Sequence, residues 1–159
     1  MPSGGVAAQF NFVSYKIDSI NLKMNPTVKY LLKNEPIALK DIDFSIKLRS
    51  TEKFNINGSI KYVGGLTTKI TIMDEEDKKE ILSGEFGISG IFAPDGAVDQ
   101  SSEENFSKIS LPALLMPYLR ALMANILSQT GFGTVLFPLV NIYELAKKKN
   151  LPLIDHTQS

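Results

Sequence analysis

Residues 111–145 read Leu-Pro-Ala-Leu-Leu-Met-Pro-Tyr-Leu-Arg-Ala-Leu-Met-Ala-Asn-Ile-Leu-Ser-Gln-Thr-Gly-Phe-Gly-Thr-Val-Leu-Phe-Pro-Leu-Val-Asn-Ile-Tyr-Glu-Leu. Within this stretch Leu115, Leu119, Leu122, Met123 and Ile126 recur at helical spacing and form one continuous stripe. Leu114, Tyr118 and Leu127 widen it until little polar surface is left. The spacing predicts a helix from roughly 112 to 129, with Pro112 suited to its first turn and Pro117 marking a kink or a late start. A helix this apolar needs burial on nearly every side. One face is expected on the chain's own sheet. The other is read as a symmetric subunit interface, with Leu115, Leu119, Leu122, Met123 and Ile126 as its residues.

Thr130-Gly131 stops the helix, and Gly131-Phe132-Gly133 opens a loop crowded with Phe132, Val135, Leu136, Phe137, Leu139 and Val140. Connecting loops normally run over the surface and are polar. An apolar one is either pinned in a core or offers a site for other apolar chains, and spacing leaves that choice open. A short terminal helix is expected at about 141–149, with Lys147, Lys148 and Lys149 at its negative end. Residues 151–159 read as a flexible tail, and residues 1–8 as a loose start.

Upstream the periodicity changes from helical to alternating. From Phe10 to Leu22 the apolar parity switches twice: Phe10 and Phe12, then Val13, Tyr15 and Ile17, then Ile20 and Leu22. That pattern belongs to a strand buried on parts of both faces, or to a bulged one. Asn25-Pro26 breaks it, and 27–34 is expected as a short turn of helix. A second strand is expected over 38–49. Residues 53–63 and 66–73 form one long strand interrupted at Gly64-Gly65, or two shorter ones. The polar run Asp74 to Lys79 reads as a hairpin turn, and Glu80 to Phe92 as the next strand, its Gly84, Gly87 and Gly90 implying close backbone approach or strong bending. Residues 97–105 read as a connecting loop. Strands first and helices last make this an α+β chain, an antiparallel sheet with helices on one face, and a single domain over residues 1–159.

Composition narrows the function classes. Seventeen basic residues balance seventeen acidic ones, which argues against nucleic acid as the main partner. There is no cysteine, so disulfides, thiolate chemistry and Cys-based zinc sites are excluded. The N-terminal residues have neither a basic region nor a long apolar core, and the stretch 111–127 carries two prolines and Arg120. Neither a signal peptide nor membrane insertion is therefore expected, and the chain reads as cytoplasmic. The one histidine, His156, lies in the tail, and the Asp74–Asp77 run lacks the alternating ligand spacing of a calcium loop. Gly84 to Gly90 sits inside a strand pattern with no following helix, so it is not a phosphate loop. No catalytic constellation, metal site or cofactor is expected.

The C-terminal half resembles the SecB family of protein-export chaperones. That family opens its long helix with a Leu-Phe-Pro-Tyr-x-Arg run, matched here by Leu115-Met116-Pro117-Tyr118-Leu119-Arg120, with Ser128 eight residues on. Phe132 matches a loop Phe, and Leu136 to Ile142 matches a Leu-x-Pro-Val-Asn-Phe run with one residue more. Gly90-Ile91-Phe92 matches the end of the family's preceding strand. The resemblance implies a four-stranded antiparallel sheet with two C-terminal helices on one face, assembled as a homotetramer, a dimer of dimers. It also implies unfolded polypeptide clients held in apolar grooves, without ATP, for export through the Sec pathway. On that basis Phe10, Phe12, Phe54, Phe132, Leu136, Phe137, Ile142 and Tyr143 are the client-binding candidates. The family docks the SecA motor through acidic residues on the sheet surface. Glu85 keeps one such position, while Ser19 and Lys23 stand at two others, so SecA is carried as a partner on Glu85 alone. Some SecB-like proteins instead hold an antitoxin, which makes a dedicated chaperone the alternative. A small-molecule-binding or enzymatic α+β domain is the rival from another class, and no acid–base set supports it.

Overall fold

The computed structural model describes residues 10–25, 28–32, 42–74, 78–130 and 140–157. Four long strands, β1 (Phe10–Met24), β2 (Ile42–Ile56), β3 (Ser59–Met73) and β4 (Glu80–Pro94), build the sheet. A short helix, α1 (Val28–Leu32), lies between β1 and β2. The strand order is β1-β4-β3-β2-β5, and the first four pair antiparallel. The fifth, β5 (Ile154–Asp155), runs parallel to β2. The expected sheet of four antiparallel strands is thus a mixed sheet of five. The extra strand comes from the segment read as a tail. Two residues of pairing suffice there because other bonds hold the same stretch: His156 N–H donates to Lys53 O at 2.9 Å, and Thr157 N–H and Oγ1–H both donate to the Asp155 carboxylate.

The double switch of parity in β1 has a direct structural cause. Register shifts between Phe12 and Ser14, and between Ile17 and Ser19, each insert one extra residue opposite β4. The two bulges return Phe12, Tyr15, Ile17 and Ile20 to a single face, paired in turn with Phe92, Gly90, Ile88 and Phe86. The β2–β3 connection differs from the expected break at Gly64-Gly65. The chain turns at Asn57-Gly58, with φ values of 52° and 82°, the two left-handed positions that a tight hairpin requires. β3 runs straight through Gly64 and Gly65, which are glycines for a different reason. A Cβ at Gly64 would collide with the Leu111 side chain, and one at Gly65 would lie 2.7 Å from the Arg49 guanidinium.

The helical layer begins earlier than the sequence suggests. Residues 97–105 do not form a plain loop: α2 (Gln100–Asn105) starts there, capped by Asp99, whose carboxylate accepts from Ser102 N–H at 2.7 Å. A π-helical turn (Phe106–Ser110) then leads into α3 (Leu111–Ser128), giving one continuous helix of 29 residues. Pro112 cannot donate to the preceding turn and its ring crowds a carbonyl there, a conflict that the wider π turn relieves. The helix continues through Pro117 to Ser128. By length and composition it could cross a membrane, yet Leu111, Leu115, Leu119, Met123 and Leu127 are fully buried, as befits the central helix of an α+β core. α4 (Ile142–Lys149) is capped by Asn141 and ends on Asn150 in the left-handed region.

The core lies between this helix and the inner face of the sheet: Tyr62, Leu66, Ile70 and Ile72 of β3, Leu82, Phe86, Ile88 and Phe92 of β4, and Phe106 with the α3 row. The helix approaches closely because Gly90 has no Cβ to collide with Leu115. One polar lock ties α2 down. Tyr62 Oη–H donates to Glu103 Oε2 at 2.5 Å, and Lys53 Nζ sits 2.6 Å from the same oxygen. Burial, reinforced by that bond to Glu103, pushes the Tyr62 phenol well above its ordinary value, so it stays a donor.

Candidate functional site

α3 packs over β3 and β4. A helix about 10 Å wide covers roughly two strands at ~4.8 Å spacing. The inner side of edge strand β1 therefore projects past it. Phe12, Tyr15, Ile17 and Ile20 on β1, with Leu114 and Tyr118 on the near flank of α3, line an open apolar groove. Their exposures run from 37% for Tyr118 to 49% for Ile17. None of the six is Asp, Glu, Lys, Arg or His.

The aromatic members form a connected cluster. The Tyr15 and Tyr118 rings lie 4.8 Å apart, Phe12 and Tyr118 5.1 Å, and Phe12 and Phe92 5.2 Å. Phe92 is buried and anchors the cluster to the core, while the other rings keep one side open. Such a surface takes up apolar groups without regard to their order, because burial is non-directional. β1 is also the last strand at its end of the sheet, so its outer backbone edge has no strand partner among the described residues. An edge of this kind accepts another extended chain whatever its side chains. Such an arrangement suits an extended apolar chain; among the described residues no group of three or more His, Cys, Asp or Glu is placed to hold a metal.

The candidates read from the sequence distribute unevenly. Phe12 lies in the groove. Phe10 is buried below it, stacked on Phe106 at 3.8 Å between ring centres, and belongs to the core. Ile142 is likewise buried, whereas Tyr143 is exposed on α4. Phe54 is on the opposite face of the sheet, paired with Lys61 and stacked on the His156 ring at 4.6 Å. Phe132, Leu136 and Phe137 lie outside the described residues. Of the helix stripe, Leu115, Leu119 and Met123 are fully buried against the chain's own sheet, and Leu122 and Ile126 are half-buried beside them. The buried members of the stripe face inward, and the exposed large apolar side chains of α3 are Leu114 and Tyr118. Glu85 points from the outer face, 4.0 Å from Lys69. Tyr15, Ile17 and Ile20 were missed as groove residues although each is apolar in a strand pattern. Their signal was the parity switch, which gains meaning only once two bulges return them to one face.

Comparison with known proteins bears on this arrangement. The family model described as SecB, preprotein translocase subunit SecB, matches residues 14–150. Comparison with curated proteins finds no match. Among solved structures, the chain is similar to a SecB-like chaperone from Mycobacterium tuberculosis in complex with a ChAD peptide from the HigA1 antitoxin. The TM-score is 0.59 at 8% identity, over 86% of this chain and 94% of that one. At that identity the likeness is one of fold.

Proposed function

The chain belongs to the SecB family, and from that premise we propose that it is an ATP-independent, cofactor-free chaperone that holds non-native polypeptides for export through the Sec pathway. The observation that carries the reading is the half-exposed apolar groove of Phe12, Tyr15, Ile17, Ile20, Leu114 and Tyr118 beside an open strand edge. A folded, self-sufficient surface has little use for six contiguous apolar side chains. A client would cover the rings and pair with the backbone, two contributions that do not depend on its sequence.

In this reading the chain works in the cytoplasm and assembles as a homotetramer, a dimer of dimers. Several grooves then hold one client by avidity. Phe132, Leu136 and Phe137 of the apolar stretch 131–139, together with the exposed Tyr143, would extend the client surface. The test is protection of a chemically denatured protein from aggregation, followed by light scattering. Wild type should suppress scattering at stoichiometric amounts without ATP. A variant with Tyr15→Ser and Tyr118→Ser should not, and equal protection by that variant would refute the assignment of the groove.

A second reading, a chaperone dedicated to one partner such as an antitoxin, is favoured by the outer sheet face. There Ser19 and Lys23 replace carboxylates expected for SecA docking and leave Glu85 beside Lys69. Proteins co-purifying with the chain separate the two readings: many clients and SecA for general export, one dominant partner for a dedicated role.

A further inference from the structure

The face of the sheet turned away from the helices carries a second surface, unrelated to the groove. Register places its side chains in rows across four strands. Lys23, Ser83, Thr71 and Asp43 form one row, and Asn21, Glu85, Lys69 and Ser45 the next. Ser19, Gly87, Thr67 and Lys47 follow, then Lys16, Ser89, Gly65 and Arg49. Two depressions open on these rows. One of about 510 Å³ is lined by Ser45, Lys47, Arg49, Thr67, Lys69 and Glu85, with backbone of Ile46 and Leu48. The other, of about 290 Å³, is lined by Asn21, Lys23, Lys69, Thr71, Ser83 and Glu85, among others. They share Lys69 and Glu85 and so adjoin, and together they trace a diagonal trough across the sheet on either side of that pair.

We propose that this trough is a docking site for an extended acidic segment of a partner polypeptide, recognised by Lys23, Lys47, Lys69 and Arg49. The lining carries those four cations and the carboxylate of Glu85, with Asp43 at the end of the first row and Asp18 beside Arg49. In a chain of zero net charge this is a local excess, and it is largely uncommitted. Among the described residues no ion pair engages Lys23 or Lys47, and Lys69 is 72% exposed and 4.0 Å from Glu85. Arg49 alone is fixed: its Nη1 lies 3.3 Å from Asp18 Oδ2 and its Nη2 donates to Ser89 Oγ, which donates on to Asp18 at 2.6 Å. That network holds the guanidinium over Gly65, where any Cβ would displace it. A fixed cation at one end and three exposed ones beyond it suit an incoming row of carboxylates.

The floor of glycine, serine and threonine is low, so a peptide backbone can approach the sheet and offer its N–H groups to Glu85 and to the hydroxyls. Lys23 and Lys47 are three strands and two rows apart, a diagonal of ~20 Å, which an extended segment of about six residues spans. Nucleic acid fits less well. No aromatic side chain lines the trough to stack a base. Since the groove lies on the other face, an acidic partner could be held while a client is bound.

The test uses the full chain and a dye-labelled hexa-aspartate peptide, followed by fluorescence anisotropy at about 20 mM and about 300 mM salt. Wild type should bind at the lower salt and release at the higher. Lys47→Glu with Lys69→Glu should weaken binding about tenfold or more, and Lys47→Gln with Lys69→Gln by an intermediate factor. Lys148→Glu, on the helical side, should leave it unchanged, and all variants should keep wild-type aggregation suppression. Absence of peptide binding by wild type, or binding indifferent to the Lys47 and Lys69 reversals, would overturn the proposal. Hexathymidylate bound as tightly as the peptide would also overturn it, in favour of a nucleic-acid site.

Discussion

Removing two rings from the groove should uncouple client binding from folding, and the structure sets the size of the effect. Tyr118 is 37% exposed and Tyr15 42%. An aromatic side chain offers ~200 Å², so the two leave about 160 Å² open to a client. At ~25 cal/mol per Å² that is an upper limit of ~4 kcal/mol. Imperfect coverage by a flexible client halves it to about 2 kcal/mol, or ~30-fold in Kd. Tyr15→Ser with Tyr118→Ser should therefore weaken binding of an unfolded, labelled polypeptide by roughly that factor in an anisotropy titration. Sedimentation of the same variant checks assembly. A Kd within about threefold of wild type, with an unchanged oligomer, would refute the reasoning, since the open area would then contribute nothing to affinity. A change of oligomeric state with client affinity kept would assign the groove to contact between copies of the chain.

Three further outcomes test the scaffold. Leu115→Ala empties a fully buried site against Gly90 and should cost about 2–5 kcal/mol in urea unfolding. Gly58→Ala places a Cβ at φ 82° in the β2–β3 turn and should cost ~1 kcal/mol of stability, although nothing lies within contact of that Cβ. The Thr157 hydroxyl and amide, aided by Lys53 and His156, hold the Asp155 carboxyl below its ordinary value of 3.8. A depressed carboxyl stabilises β5 above that pH and loses its effect as pH falls through the lowered value. The protection of the His156 amide, whose N–H is bonded to Lys53 O, should accordingly fall on acidification once exchange is referred to that of an unstructured peptide at the same pH, and Asp155→Asn should remove that dependence.

Much of the sheet is legible from local pattern, though not where β2 ends and β3 begins, nor that β5 exists. Alternation in β2 and β4, the polar turn after Met73 and the apolar run of α3 are each written within a dozen residues, and periodicity reports them directly. The Asn57-Gly58 hairpin and the Asp99 cap are equally local signals. In the sequence, the break is read at Gly64-Gly65 and a loop over 97–105 instead, and neither signal is used. Glycine in a strand and polar residues in a helix are explained by what packs against them: Leu111 over Gly64, and Tyr62 with Lys53 holding Glu103.

By itself, then, the sequence determined the class of the fold, the order of its elements and the family, because these rest on hydrophobic period and on runs such as Leu115 to Arg120. Which apolar residues remain open was decided only by the tertiary structure. Periodicity says that a side chain is apolar, not whether a neighbour covers it. Leu115 and Tyr118 are three residues apart on one helix, yet the first is buried under the sheet and the second stands in the groove. Likewise, the parity switch in β1 left open whether the strand is bulged or buried on both faces, and no local pattern foretold that residues 154–155 would return to pair with β2. Each depends on contacts between segments far apart in the chain, and the free energy of those contacts exists only once the sheet has formed.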